Sequence, residues 1–232
     1  MSTSDTTEKA FEEQIEAALL ADGFFKGEPH DFDKTLAIDL RRLWSFLKAT
    51  QPDKLKAYKG HTSLEENVPQ QIANHIKTFG ILEVLRKGVE VDNIKLDLWY
   101  LRPGAGDSAK AWEDFRKNEF SVTRQQTFSL IHPADEIDMA VFVNGLPLFT
   151  FELKNPWTGQ TARYNGRKQY REDRDPSDPL LNFGRCLAYF TVDKDEAFFT
   201  TRLAGKHTSF MPFNHGLPSL GETISAMYSL VE

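Results

Sequence analysis

Residues 137–156, IDMAVFVNGLPLFTFELKNP, decide the fold. Two apolar runs, Ile137 to Val143 and Pro147 to Leu153, flank Asn144-Gly145, a dipeptide suited to the left-handed backbone of a tight hairpin turn. Into these strands are set Asp138 on the first and Glu152 and Lys154 at the end of the second. Strand residues two apart share a face, so Glu152 and Lys154 point together and Leu153 points away. For Asp138 to join them the pairing register must be even. A three-residue loop with Gly145 in a left-handed bulge supplies that register, whereas a plain two-residue loop sends Asp138 to the other face. In the even register Asp138 lies opposite or diagonal to Glu152, within about 5 to 8 Å, a span that one metal ion bridges.

Phosphodiester hydrolysis needs a cluster of this kind, because the attacking water must lose a proton and the charge building on the phosphate must meet cations. Two carboxylates suit Mg²⁺, a hard ion that prefers oxygen, and the backbone carbonyl of Leu153 offers a further ligand. Mn²⁺ is the ion expected to substitute. Lys154 then orients the nucleophile or stabilises the transition-state charge. An acid-x-Lys triplet taken alone reads more readily as the exposed face of an edge strand, paired for well under about 1 kcal/mol. The flanking strand, turn and aspartate favour the metal site.

Outward from the hairpin, the pattern is mixed α/β. A first helix is expected from Glu8 to Ala21, with Asp5 and Glu8 at capping-box spacing and Phe11, Ile15 and Leu19 as its stripe. A second is expected from Asp33 to Lys48, carrying Leu36, Leu40, Leu43, Trp44 and Leu47 behind an aspartate cap. Residues 51–69 are polar and broken by Pro52, Gly60 and Pro69, so they read as a loop before a short helix over 70–79. From Val89 onward Ile94, Leu96, Leu98 and Tyr100 alternate, and Phe120, Val122 and Phe128 to Ile131 add further strand pattern around a helix over 109–118. A charged segment, Thr161 to Arg174, reads as helical; Cys186 to Val192 and Ala197 to Leu203 complete the sheet.

Composition narrows the function. The chain has 232 residues, 18 Phe and 4 Trp, enough apolar area for one large domain. No run approaches the roughly 20 apolar residues that cross a bilayer, and the polar, acidic start is not a secretion signal, so a cytoplasmic protein with no membrane partner is expected. The one cysteine, Cys186, sits among apolar residues and reads as a buried structural thiol. A net charge of −6 argues against a chain that grips DNA unaided. Local cations exist, however. Arg163, Arg167, Lys168, Arg171 and Arg174 recur at spacings that line one helix face as a phosphate stripe, with a solvated, salt-paired helix as the alternative. The six histidines show no metal-ligand spacing, and Gly205-Lys206 lacks the rest of a phosphate loop.

The stretch from Ile137 to Pro156 resembles the nuclease motif of the restriction subunit of type I restriction-modification enzymes, within the PD-(D/E)xK nuclease superfamily. The likeness continues through Thr158 to Gln160, Gln169 to Pro176 (QYREDRDP), Phe183 to Val192 and Leu203 to Gly216 (LAGKHTSFMPFNHG). It implies a restriction-endonuclease-like α/β fold, a central mixed sheet flanked by helices, with Asp138 and Glu152 as Mg²⁺ ligands and Lys154 as the catalytic lysine. Ile137 stands where the superfamily name anticipates proline. The opening helix is similar to the family's, which makes Glu12 a candidate accessory acid; a solvated helix flank is the alternative. A family Gln-x-x-x-Tyr motif that sets the site on DNA fits two ways here. Gln160 and Tyr164 satisfy it literally, whereas Gln169 and Tyr170 match the surrounding text better, and Tyr170 is the favoured tyrosine.

The resemblance implies a single endonuclease domain over 1–232: a mainly helical part over 1–88, a nuclease core over 89–216, and a segment over 217–232 leading toward a helicase motor outside this chain. The implied function is Mg²⁺-dependent cleavage of unmodified foreign double-stranded DNA, beside methyltransferase and specificity subunits and the helicase domains of the same subunit. ATP enters only through that motor. A stand-alone defence or repair nuclease, and a catalytically silent DNA-binding or assembly module, are the alternatives.

Overall fold

The computed structural model describes residues 3–60, 62–155 and 158–214, with side chains from residue 9 onward. The segment expected over 217–232 and the Asp5–Glu8 capping pair lie outside the described residues or side chains. A seven-stranded mixed sheet forms the centre, in the order β1 (Phe25–Lys26), β6 (Phe120–Thr127), β7 (Glu136–Val143), β8 (Leu146–Leu153), β9 (Ala188–Val192), β10 (Ala197–Thr200) and β11 (Met211–Pro212). Its β1–β6 and β8–β9 pairs are parallel and the others antiparallel. The expected α/β architecture is present.

Helix α1 (Thr3–Ala21) lays Phe11, Ile15 and Leu19 on one face of the sheet, against Val122, Met139, Val141 and Leu153. The other face carries Ala140, Phe142, Tyr189 and Tyr170 in a second core. A third core joins the hairpin tip, through Val143, Leu146 and Leu148, to the helices of the N-terminal part. Among the described residues no helix is long and apolar enough to cross a membrane.

The N-terminal part departs from the sequence reading in three places. The helix expected from Asp33 is a two-stranded hairpin, β2 (Phe32–Asp33) with β3 (Ile38–Asp39), followed by α2 (Leu40–Thr50). Asp33 Oδ1 accepts the amides of Thr35 and Leu36 and so caps a turn, while Asp39 caps the helix by accepting from Arg42 N at 2.9 Å. The expected loop over 51–69 holds α3 (Pro52–Lys56) and most of α4 (Leu64–Phe79), which runs through Pro69. Proline is tolerated there because the amide it lacks would have served the carbonyl of Glu65, which is exposed in the first turn and open to water. After α5 (Ile81–Lys87), β4 (Val89–Val91) and β5 (Ile94–Leu96) pair with each other outside the main sheet, which takes β1 and then resumes at Phe120 rather than at Val89. Beyond α6 (Ala109–Phe115), β6 ends at Thr127, and Phe128 to Ile131 leave the sheet in a turn where Ser129 Oγ accepts the amides of Ile131 and His132.

The Asn144-Gly145 turn forms as expected, with φ of 50° and 83°, the two left-handed positions of a type I′ turn. Glycine is required at 145 for a second reason, since a Cβ would stand 2.4 Å from the Asp39 carbonyl oxygen. Asn144 is fully buried; its Nδ2 donates to Leu98 O and its Oδ1 accepts from Glu119 N at 2.7 Å, which ties the hairpin tip to the segments before β6.

Candidate active site

The two-residue turn sets Val143 opposite Leu146 and Phe142 opposite Pro147, a register that by itself would send Asp138 and Glu152 to opposite faces. The expected three-residue loop is absent. One extra residue in β8, Leu148, corrects the register instead: beyond it Val141 pairs with Phe149, Ala140 with Thr150 and Met139 with Phe151. The next step along brings Asp138 opposite Glu152. Leu148 is anchored as a bulge by its carbonyl, which accepts from Leu187 N at 2.9 Å, and by its buried side chain in the third core.

Asp138, Glu152 and Lys154 therefore converge on the face away from α1. Lys154 Nζ stands 3.5 Å from Asp138 Oδ2 and 4.0 Å from Glu152 Oε2, and Asp138 Oδ2 accepts the Leu153 amide at 2.6 Å. Exposure grades across the three: the side chain of Asp138 is 23% exposed, that of Lys154 7% and that of Glu152 0%. Burial, and secondly the charge of Asp138, push the Glu152 carboxyl up to about 8, against the pull of Arg174 and Lys154. Glu152 Oε2 is buried and accepts no hydrogen bond among the described residues. An orphaned carboxylate oxygen on the same face as a second carboxylate is the donor set a hard divalent ion completes, so the residues fit Mg²⁺.

Arg174 is the part of the site that the sequence reading assigned elsewhere, to the phosphate stripe. Its Nε donates to Glu152 Oε1 at 2.8 Å, its Nη2 to the Glu136 carbonyl at 2.7 Å, and its guanidinium stacks over Phe128. No local signal sets Arg174 apart from the stripe, since it ends the same charged stretch and only the packing of that stretch against β8 brings it to Glu152. The segment expected to be helical is two π-helical turns, π1 (Ala162–Gly166) and π2 (Gln169–Asp173), joined through Arg167 and Lys168. Gly166 packs there against β9, and a Cβ would meet Thr191 Oγ1 at 1.7 Å with Lys154 Cγ at 3.6 Å.

Tyr170, expected to face DNA, is fully buried, and its hydroxyl pairs with Thr150 Oγ1 at 2.8 Å, on the face of β8 that carries Glu152. It is thus part of the core under the site, since the apolar ring gains more there than it would in water. Tyr164 is 71% exposed, and Gln160 and Gln169 are half-buried. Arg163 pairs with Glu196, and both Arg163 and Arg167 stack over Phe198; Arg171 donates to Thr208 O and stacks over Phe210. Lys168 is exposed and reaches Glu172 at 3.8 Å. Partial burial and the charges of Arg171 and Arg163 push the Arg167 guanidinium down, the mark of crowded cations.

Glu12 is buried on α1, which covers the opposite face of the sheet. It does not join Asp138 and Glu152, for no group of three His, Cys, Asp or Glu residues able to hold a metal occurs among the described residues. Cys186 is buried beside Leu180, and burial pushes its thiol up to about 12, as a structural thiol requires.

Comparison with curated proteins found no relative of this chain. The family described as "Type I restriction enzyme R protein N terminus (HSDR_N)" matches residues 37–208, which span β3 to β10 and so include the hairpin, its bulge and Arg174. With about three quarters of its length matched, the chain belongs to the type I restriction enzyme R protein N-terminal family, whose members supply the nuclease-type domain of the restriction subunit.

Proposed function

We propose that this chain is the DNA-cleaving domain of its restriction subunit, an Mg²⁺-dependent endonuclease with Asp138, Glu152 and Lys154 as its catalytic set. The observation that carries the reading is the buried Oε2 of Glu152, without a hydrogen bond among the described residues, on the face it shares with Asp138 and Lys154. Asp138, Glu152 and the Leu153 carbonyl would hold Mg²⁺ or Mn²⁺, which when bound acidifies a water and draws charge from the phosphate. Glu12 lacks support as a further ligand. Lys154, held near both carboxylates, is suited to orient the attacking water and to meet the charge that grows on the phosphate. Arg174 fixes Oε1 of Glu152 and so keeps Oε2 on the side of Lys154. Thr150 and Tyr170 seal the sheet beneath Glu152 against water.

The substrate is double-stranded DNA, unmodified at sites that partner subunits read. Arg163, Arg167, Lys168 and Arg171, with Tyr164, Gln160 and Gln169 beside them, form the stretch suited to the phosphate backbone, since cations supply most of non-specific affinity. The family setting supports a cytoplasmic complex with methyltransferase and specificity subunits and with the helicase domains of the same subunit, where ATP acts. The test is direct. Calorimetry should detect Mn²⁺ binding that Asp138→Ala abolishes, and supercoiled plasmid should be nicked with Mg²⁺ but not with EDTA. Absence of metal binding by a folded wild-type chain would overturn the reading.

A further inference from the structure

The crossover that carries Arg174 into the site continues past Ser177 and Pro179 to Arg185, and on the way it builds a second polar site. A cavity of about 140 Å³ is lined by Thr35, Ile76, Lys77, Ser177, Asn182 and Arg185, among others. Taking about 30 Å³ for a water, that is room for several waters or one tetrahedral oxyanion. Arg185 is the unusual member. It is 94% buried, yet it forms no ion pair among the described residues; it donates only to two neutral carbonyls, Leu36 O at 3.0 Å and Ala73 O at 3.3 Å.

A guanidinium has five N–H donors, so three remain after those two bonds. A buried cation with no carboxylate is costly, because neutral carbonyls replace only part of the lost hydration. Among the described residues no carboxylate pairs with Arg185. Burial pushes its guanidinium down, and no carboxylate among those residues offsets it. The acids nearest in sequence are occupied elsewhere: Asp33 accepts from Thr35 N and Leu36 N, Asp175 from Ser177 N and Asp178 from Leu130 N. Lys77, exposed at the end of α4, forms no ion pair among the described residues, and Thr35 and Asn182 line the pocket with neutral polar side chains. In a chain of net charge −6, a pocket with two cations and no lining acid selects against cations and for an anion.

We propose that this pocket binds a phosphate oxyanion, with Arg185 as its buried anchor and Lys77 at its mouth. Guanidinium donors pair bidentately with phosphate oxygens as they do with carboxylates, and the side chains of Thr35 and Asn182 line the rest of the pocket. Phosphate can come from a DNA backbone, from a free nucleotide or from solution.

The test titrates inorganic phosphate into the 232-residue chain in EDTA at constant ionic strength, with chloride as the control, so that the metal site contributes nothing. Phosphate should raise the melting temperature saturably and give a binding isotherm. Arg185→Lys and Lys77→Ala should each weaken binding by about fivefold or more, a difference of about 1 kcal/mol. Lys77→Ala, at an exposed position, keeps the test decisive if Arg185→Lys does not fold. Displacement of phosphate by a short duplex would identify a DNA backbone as the source, displacement by a mononucleotide alone a nucleotide, and displacement by neither the free ion; each keeps the site. No response beyond chloride, or an equal response in wild type and Lys77→Ala, would overturn it.

Discussion

Arg174 Nε donates a 2.8 Å hydrogen bond to Oε1 of Glu152, a carboxylate with 0% exposure, so the deepest acid of the site is held by a cation from the crossover rather than from the hairpin. Above pH 8, where Glu152 is ionised in the folded state, removing one partner of this buried pair leaves the other charge uncompensated, at a cost of about 3 to 5 kcal/mol. We expect Arg174→Ala to be destabilised by that amount and Arg174→Lys by less, because ammonium keeps the charge but cannot also serve the Glu136 carbonyl through a second fork. Chemical denaturation reads the stability, and Mn²⁺ affinity reads the site. Wild-type metal affinity in a folded Arg174→Lys protein would show that the arginine does not position Glu152.

Glu152 should make the metal-free protein less stable as pH rises. Its folded pKa of about 8 lies above the ordinary 4.5, so between those values the folded state keeps a proton that the unfolded state releases. The sign follows: stability falls with rising pH across that window, with a slope of up to about 1.4 kcal/mol per pH unit, and the loss is complete above the folded pKa. Glu152→Gln removes the titration, so its melting temperature in EDTA should exceed that of wild type by several degrees at pH 8 while cleavage is lost. Superimposable pH profiles for the two proteins would sink this account.

Lys154→Ala should fold normally and cleave at least about 10²-fold more slowly, the usual effect of removing one preorganised transition-state donor. The ammonium stands 3.5 Å from Asp138 and 4.0 Å from Glu152, and no other cation is that close to Asp138 among the described residues. Near-wild-type nicking by the folded variant would reduce Lys154 to a structural counter-ion.

Gly166→Ala tests how π1 meets the site. The new methyl would overlap the Thr191 hydroxyl at 1.7 Å, so we expect a loss of about 1 to 3 kcal/mol, the range for overpacking. Thr191→Ala made in the same chain should recover most of it. A double-mutant cycle with coupling below about 0.5 kcal/mol would mean that the clash is relieved by backbone movement instead.

The cationic stretch makes a prediction about DNA. Binding of duplex by the wild-type chain should be weak and strongly salt-dependent, and replacing Arg167, Lys168 and Arg171 with Ala should lower the salt slope by roughly one unit per lost phosphate contact, about equally across sequences. An unchanged slope in the triple variant would leave these side chains as solvated partners of Phe198, Glu172 and Phe210.

The sequence by itself determined the hairpin, the Asn144-Gly145 turn, the faces shared by Glu152 and Lys154, the α1 stripe and the mixed α/β class. Each of these depends on side-chain alternation or turn preference within a few residues, which the chain states locally. It did not determine how Asp138 reaches the same face. The turn is the two-residue kind that alone would separate the carboxylates, and the compensating bulge at Leu148 is fixed by the Leu187 amide and by the N-terminal helices, partners distant in the chain. The same reason explains α2, where two aspartates competed and Asp39 became the cap because its own amide is held by the Gly145 carbonyl. It explains Arg174 and Tyr170 as well. Both sit in a charged, helical-looking stretch that reads as surface, and only the packing of that crossover against β8 turns the guanidinium onto Glu152 and the ring onto Thr150.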